Sequence, residues 1–413
     1  MNNPLIPISR RQALVFACFL VMYEFLTYIA NDMIMPGMIH VVHSFNAPES
    51  TVATSLSIYI LGGASLQVIL GPISDAYGRR PMMILGACLF FIFTLFIACS
   101  NSMNQFLIAR FFQGMGLCFI GVIGYATIQE IFEEMDAIRL ISIMANVAIL
   151  APLLGPLMGA IVIHYTSWRY IFVTIAIGAL IAVWGLWRYM PEPVGQMKNN
   201  GELIPKSKFS VNKIFKNYKN LFTNKSFCLG ALAVGTVGIP CIAWIALSPI
   251  IFIVKAKLTV IQYGLWQLPV FSATILGNWF LNKLTYKYDI KKIIYLGCII
   301  MVIGAILTSL LPYLYGEAYY YLLPGTIIYF FALSVINAPL NRYCLFVTSV
   351  SKGTASALVS LSVMIIGAIG TEIANYFYQD HNNLHFGLYC NAIQLIFFVF
   401  IGLTFIGQKK EQD

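Results

Sequence analysis

The chain has 413 residues, of which 59% are hydrophobic and 10% charged, with a formal net charge of +9. A soluble domain carries about 25% charged residues, so a chain this apolar has too little polar surface to cover itself in water and is read as an integral membrane protein. A basic chain could bind nucleic acid through its phosphates, but the placement of the charge argues against that reading.

Apolar runs lie near 12–38, 50–70, 81–99, 104–128, 138–163, 168–190, 226–254, 260–282, 290–312, 318–347, 353–379 and 384–407. A helix needs about 20 apolar residues to cross a bilayer, so these are twelve candidate spans, six on each side of a polar segment from Pro191 to Lys225. The expected organisation is all-α, with an N-terminal bundle over 1–190, a linker over 191–225 and a C-terminal bundle over 226–413. Part of the linker, Ser210 to Leu221, is expected to form an amphipathic helix on the membrane surface.

The first run holds Tyr23-Glu24-Phe25-Leu26-Thr27-Tyr28-Ile29-Ala30-Asn31-Asp32. Carboxylates in the hydrocarbon layer are costly and persist where they have a role or a partner. At about 100° per residue, Glu24 and Tyr28 share a helix face and Asn31 lies about 20° from Glu24. Asp32 is about 80° round and about 12 Å further along the axis. The two carboxylates are expected to look into one cavity at two depths.

Between spans two and three stands Gly71-Pro72-Ile73-Ser74-Asp75-Ala76-Tyr77-Gly78-Arg79-Arg80-Pro81. Its glycines and prolines predict a tight turn, with Asp75 as acceptor and Arg79 and Arg80 as donors. Span four carries Arg110-Phe111-Phe112-Gln113-Gly114. A guanidinium stays charged and is expected to face the bundle interior, against a carboxylate or carbonyls; the other reading is an arginine snorkelling to the surface. Glu130, Glu133, Glu134 and Asp136 cluster at the end of span four and read as a solvated acidic loop. Span five contains Asn146, Pro152, Gly155, Pro156 and Gly159. Its prolines remove backbone donors and are expected to bend it, and Gly155 with Gly159 offers a surface for close helix approach.

In the second half, Trp244 on span seven and Arg342 on span ten are candidates for lining the cavity, with a purely structural role open for Arg342. Glu372 on span eleven reads as solvated, with a place on a proton path as the alternative. Five histidines, His40, His43, His164, His381 and His385, fall near span ends. The nine cysteines stand singly, with no metal-ligand spacing and no disulfide framework. No paired histidines, nucleophile with a base, or phosphate-cradling loop is present, so an enzyme is not expected.

Orientation follows the basic residues. With the N-terminus inside, one face collects Arg10, Arg11, Arg79, Arg80, Arg139, Arg188 and the linker lysines 198, 206, 208, 213, 216, 219 and 225. The same face holds Lys283, Lys287, Lys291, Lys292, Lys352, Lys409 and Lys410. Only Arg169, Lys255 and Lys257 fall on the other. This accounts for the net charge, places both termini in the cytoplasm, and gives a face that attracts anionic lipid.

The 71–81 segment resembles the signature loop of the major facilitator superfamily, and Arg110-x-x-Gln113-Gly114 resembles an element of its proton-coupled members. Pro152, Gly155-Pro156 and Gly159 are similar to the antiporter motif of its drug exporters. The 23–38 stretch, Gln129-Glu130, Ala145-Asn146-Val147-Ala148, Ala243-Trp244-Ile245-Ala246 and Ser351-Lys352-Gly353-Thr354 sharpen the resemblance to the twelve-span drug/proton antiporters. It implies the major facilitator fold in two six-helix bundles, in the bacterial inner membrane, as a monomer. It implies efflux of lipophilic cationic or neutral drugs in exchange for protons, with no cofactor beyond H+ as the coupling ion. Glu24 and Asp32 would bind protons and drug, with Tyr28 and Asn31 beside them. Arg110, Asp75, Gly78, Arg79 and the span-five prolines and glycines would couple conformations. The departure is Asn282-Lys283-Leu284-Thr285-Tyr286-Lys287-Tyr288-Asp289, where a glycine-rich repeat of the signature loop would stand. An exporter of one physiological metabolite and a non-transporting receptor or structural subunit are the alternatives.

Overall fold

The computed structural model describes residues 4–199, 201–206, 211–348 and 352–412. Lys208, Ser210 and Ser351, and the side chains of Glu134, Ala145, Lys213, Lys352, Lys409 and Lys410, lie outside the described residues.

Helices dominate, in chain order α1 (Arg10–Asp32), α2 (Met38–Ser44), α3 (Thr51–Ser65), α4 (Leu70–Tyr77), α5 (Arg79–Ala98), α6 (Met103–Phe119), α7 (Tyr125–Ile131), α8 (Glu134–Tyr165) and α9 (Arg169–Tyr189). There follow α10 (Val211–Thr223), α11 (Lys225–Val237), α12 (Ile239–Pro249), α13 (Val260–Thr285), α14 (Ile290–Tyr315), α15 (Leu323–Phe346), α16 (Lys352–Phe377) and α17 (Asn383–Gln412). Start signals are local. Ser9 accepts from the Gln12 amide at 3.1 Å, Ser102 from Gln105 at 3.3 Å, and Thr259 with Gln262 forms a reciprocal capping box. The amphipathic helix expected in the linker is α10. It leaves Phe215 and Phe222 exposed on one face.

Among the described residues, ten helical stretches are long and apolar enough to cross a bilayer. An eleventh is counted if α3 and α4, bent by 46°, form one crossing. The remaining expected span is α13, a 26-residue helix. It is about 39 Å long at the usual rise, but Gln262, Gln267, Pro269, Asn278 and Asn282 make it more polar than the others. The molecule is a multi-pass membrane protein.

The expected turn at 71–81 is two helices separated by one residue. Pro72 and Pro81 sit in the first turns of α4 and α5, where a missing N–H breaks no helical bond. Gly78 alone is non-helical, at φ +110°, a backbone state that side chains disfavour. In α8 the helix continues through Pro152 and Pro156 rather than breaking.

Two helical runs widen into a π turn, a feature common at functional sites. One is Ile120–Gly124, between α6 and α7; the other is Ile250–Lys255, directly after Pro249.

Contacts divide the chain into one compact unit of Met1–Ile34, Ile58–Gly155 and Tyr165–Phe215, and another of Met35–Ser57, Pro156–His164 and Lys216–Asp413. In the first unit, the start of the linker is tied to the N-terminus. Asn199 donates to the carbonyls of Pro4 and Leu5 at 2.9 and 2.7 Å, and the Leu5 amide donates to Ile131 O at 2.7 Å. In the second, Asn375 donates to Ser50 O at 2.9 Å and Ser57 to Ala368 O at 3.4 Å. These bonds join residues 50–57 to the C-terminal helices.

Candidate functional site

The first unit buries a polar network around α1. Glycines bring the helices close enough to build it. A Cβ on Gly62 would run into the Phe111 carbonyl, and one on Gly114 into the Tyr59 carbonyl. The α3 and α6 backbones therefore touch. This contact sets the Tyr59 ring under Arg110, whose guanidinium carbon lies 4.3 Å from the ring centroid, within cation–π range. The Tyr59 hydroxyl in turn donates to Thr27 O on α1.

Arg110 is fully buried. It donates to Asn31 Oδ1 at 2.7 Å, Gln113 Oε1 at 2.8 Å and Ala30 O at 3.4 Å. The snorkelling alternative is thereby set aside. Gln113 passes the chain on to Thr94 at 2.9 Å. Asn31 donates its amide to Asp32 Oδ1 at 3.3 Å. Among the described residues Arg110 forms no direct ion pair with Asp32, and Asn31 links them with one amide group facing each way.

Glu24 is fully buried and Asp32 is 6% exposed. Glu24 Oε1 accepts from the Tyr125 hydroxyl at 2.7 Å, while Oε2 is buried with no partner. The two carboxylates thus have different hydrogen-bond partners on one helix. Tyr28 is half-buried on the Glu24 face. Gly155 explains how α8 reaches this helix. Its Cβ position lies 2.8 Å from Asp32 Cβ and 3.1 Å from Met33 N. Gly155→Val is expected to push α1 away at Asp32. Overpacking of this kind costs roughly 1–3 kcal/mol, readable as a lowered unfolding temperature in detergent. Pro152 is half-buried and Gly159 buried on the same helix, while Asn146 is exposed.

The signature segment forms a second cluster. The Arg79 guanidinium pairs with Asp75 at 2.5 Å, and through Nε and Nη2 with Glu130 at 3.2 and 2.8 Å. It also donates to Ser74 Oγ at 2.5 Å. Glu130 is therefore a bidentate partner for Arg79 and not part of a solvated loop. Asp136 is likewise buried, paired with Arg139 at 3.0 Å. Sequence reasoning missed Glu192, whose carboxylate caps α5 by accepting from the Arg79 and Arg80 amides, both at 3.0 Å. It also fills the space that a Gly78 side chain would need. An anion at a helix N-terminus is favourable. Glu192→Ala is expected to cost about 1 kcal/mol or somewhat more, with faster amide exchange at the start of α5 as the readout.

Three candidates belong to the second half of the chain. Trp244 is fully buried, donates to Gln267 Oε1 at 2.9 Å, and lines a cavity of only ≈ 10 Å³. Arg342 is exposed, its guanidinium 4.7 Å from the Phe346 ring centroid. Glu372 is half-buried rather than solvated. One oxygen accepts from Thr54 and Asn375 at 3.3 and 3.4 Å, and the other is buried without a partner.

Tyr125, Tyr59 and Thr94 were also missed. Each is a common residue type on an apolar helix, and only the fold brings Tyr125 to Glu24, Tyr59 to Arg110 and Thr94 to Gln113. Gln113 was visible as part of the Arg110 element, but its bond to Arg110 was not.

Helices of membrane-crossing length around a buried arginine and two buried carboxylates define a polytopic membrane protein with a charged interior. The sequence pattern of the Major Facilitator Superfamily matches residues 20–371. The chain belongs to that superfamily. It is 41% identical over 413 residues to the multidrug transporter MdfA of Yersinia pestis bv. Antiqua (strain Angola), covering 100% of this chain and 99% of that one. It is also 41% identical over 393 residues to the multidrug transporter MdfA of Edwardsiella piscicida, covering 95% and 94%. Its fold is similar to the xylose transporter XylE of Escherichia coli in a partially occluded inward open conformation. There the TM-score is 0.70 and the identity 16%, over 95% of this chain and 97% of that one. A bacterial homolog of the human lysosomal transporter Spinster gives a TM-score of 0.69 at 15% identity, over 97% and 96%.

Proposed function

We propose that this protein exports lipophilic, often cationic, drugs across the bacterial inner membrane in exchange for protons, by alternating access of two six-helix bundles, 1–190 and 226–413. The observation that carries the reading is the pair of buried carboxylates on α1, one with an uncommitted oxygen and the other tied to Arg110 only through Asn31. The full-length similarity to multidrug transporters supports the substrate class.

A carboxylate buried without a cation costs several kcal/mol. A proton removes that cost by neutralising the group, and a lipophilic cation removes it by pairing. Proton and drug therefore compete for Glu24 and Asp32, and one leaves as the other arrives. Tyr28 offers a ring face to the cation. Asn31 lets Arg110 sense the state of Asp32: an ionised Asp32 draws the guanidinium, and a protonated one releases it to Gln113 and Ala30. The Asp75–Arg79–Glu130 cluster and Gly78 hold the ends of α4 and α5 in one state and part in the other. Pro152, Gly155, Pro156 and Gly159 let α8 move against α1. The basic face places both termini in the cytoplasm, and the protein works as a monomer in contact with lipid.

In proteoliposomes, an imposed pH step is expected to drive tetraphenylphosphonium against the proton flow. Cation movement that ignores the pH step would contradict exchange and leave a uniporter.

A further inference from the structure

The segment that departs from the superfamily's glycine-rich repeat, Asn282 to Asp289, forms the last turn of α13 and the turn that leads into α14. A cleft of ≈ 760 Å³ opens there. Its floor is apolar, formed by Phe280, Leu284, Ile293 and Leu296. Leu284 and Ile293 belong to a buried cluster with Leu281 and Val335, against which Phe280 and Leu296 pack. The rim is cationic and aromatic, with Lys283, Lys287 and Lys292 beside Tyr286 and Tyr288. Tyr286 is 90% exposed, and the Lys283 ammonium stands 3.6 Å from the Trp279 ring centroid. Asp289 offsets the rim only weakly, 4.0 Å from Lys292 with both side chains largely in water. The cleft lies at the start of α14, a membrane-crossing helix.

Three ammonium groups above an apolar floor at a helix end match one kind of occupant. Free phosphate would satisfy the lysines and leave the floor bare. A neutral lipid would cover the floor and leave the charge unmet. We propose that this cleft is a binding site for an anionic phospholipid, with the phosphate on Lys283, Lys287 and Lys292 and the upper acyl chain along Phe280, Leu284, Ile293 and Leu296. Lysines and aromatic residues at a membrane interface favour such headgroups, and the cleft volume is that of a small-molecule site. The inference does not rest on the transport reading.

The test is lipid retention by the purified full-length protein in neutral detergent, read by native mass spectrometry during titration with phosphatidylglycerol or phosphatidylcholine. Wild type is expected to keep phosphatidylglycerol preferentially. Lys283→Gln with Lys287→Gln and Lys292→Gln is expected to weaken it by roughly tenfold or more, since each basic residue near an anionic surface contributes roughly fivefold. Inorganic phosphate should not displace the lipid. Lys216→Gln with Lys219→Gln, exposed on α10, should leave retention unchanged. Equal retention of the two lipids, unchanged retention in the triple variant, an equal loss in the α10 variant, or displacement by phosphate would each overturn the site. If the triple variant loses its cooperative melting, Lys287→Glu alone carries the test, because that exposed side chain can be reversed in charge without disturbing the floor.

Discussion

Arg110→Ala is expected to leave a folded protein that no longer couples cation movement to protons. The guanidinium makes charge-assisted bonds to Asn31 at 2.7 Å and Gln113 at 2.8 Å, each worth about 1.5–3 kcal/mol. Losing both corresponds to roughly a hundredfold or greater fall in coupled transport. Stability moves less, because two effects oppose. The Asn31, Gln113 and Ala30 oxygens lose their donor, at about 1–3 kcal/mol for each one left unsatisfied. Against that, a buried cation without a direct ion pair no longer has to be desolvated. Arg110→Lys keeps the charge but not the planar fork that reaches Asn31 and Gln113 together, so it too should fail in transport. Proteoliposome flux with a thermal melt separates these outcomes. A large loss of melting temperature with normal specific transport in the surviving fraction would assign Arg110 to scaffolding.

Neutralising both carboxylates, Glu24→Gln with Asp32→Asn, is expected to abolish proton-coupled export of monovalent cations. Packing should hardly change. The amide that replaces the Glu24 carboxylate still offers an oxygen to the Tyr125 hydroxyl, which donates to Glu24 Oε1 at 2.7 Å in the present structure. The amide that replaces the Asp32 carboxylate likewise offers the Asn31 side chain an oxygen in place of Asp32 Oδ1. A buried carboxylate without a cation is costly to hold, so neutralising the pair is expected to leave stability unchanged or raised. The loss therefore falls on function. Retained pH-driven transport of a monovalent cation in the double variant would sink the exchange scheme, while a neutral drug that still binds it would show that the cavity is intact.

Much of this was legible in the residues. Glu24 and Asp32 stood out because a carboxylate in an apolar run is anomalous wherever it falls, and the amphipathic α10 was expected within the lysine-rich linker. Gly78 marked the break between α4 and α5, but the surrounding glycines and prolines read as a loop, because the first turn of a helix tolerates the same residues. What the sequence withheld was partnership at long range. Glu192 caps α5 from 113 positions away, and Tyr125 reaches Glu24 across 101. Neither carries a local signal. Glu130 looked solvated because it stands among acidic neighbours, and only the approach of Arg79 changes that. Among the polar residues of α13, Gln267 turns inward, where it accepts from Trp244. A polar residue paired within the protein lowers apolarity without exposing a polar group to lipid.

The most direct measurement is proton release from detergent-purified protein when tetraphenylphosphonium is added, in wild type and in Glu24→Gln with Asp32→Asn. Release is expected in wild type, at a pH where the carboxyls still hold protons, and none in the double variant. A wild type that binds the cation and releases no proton would contradict it, and would move the coupling away from α1.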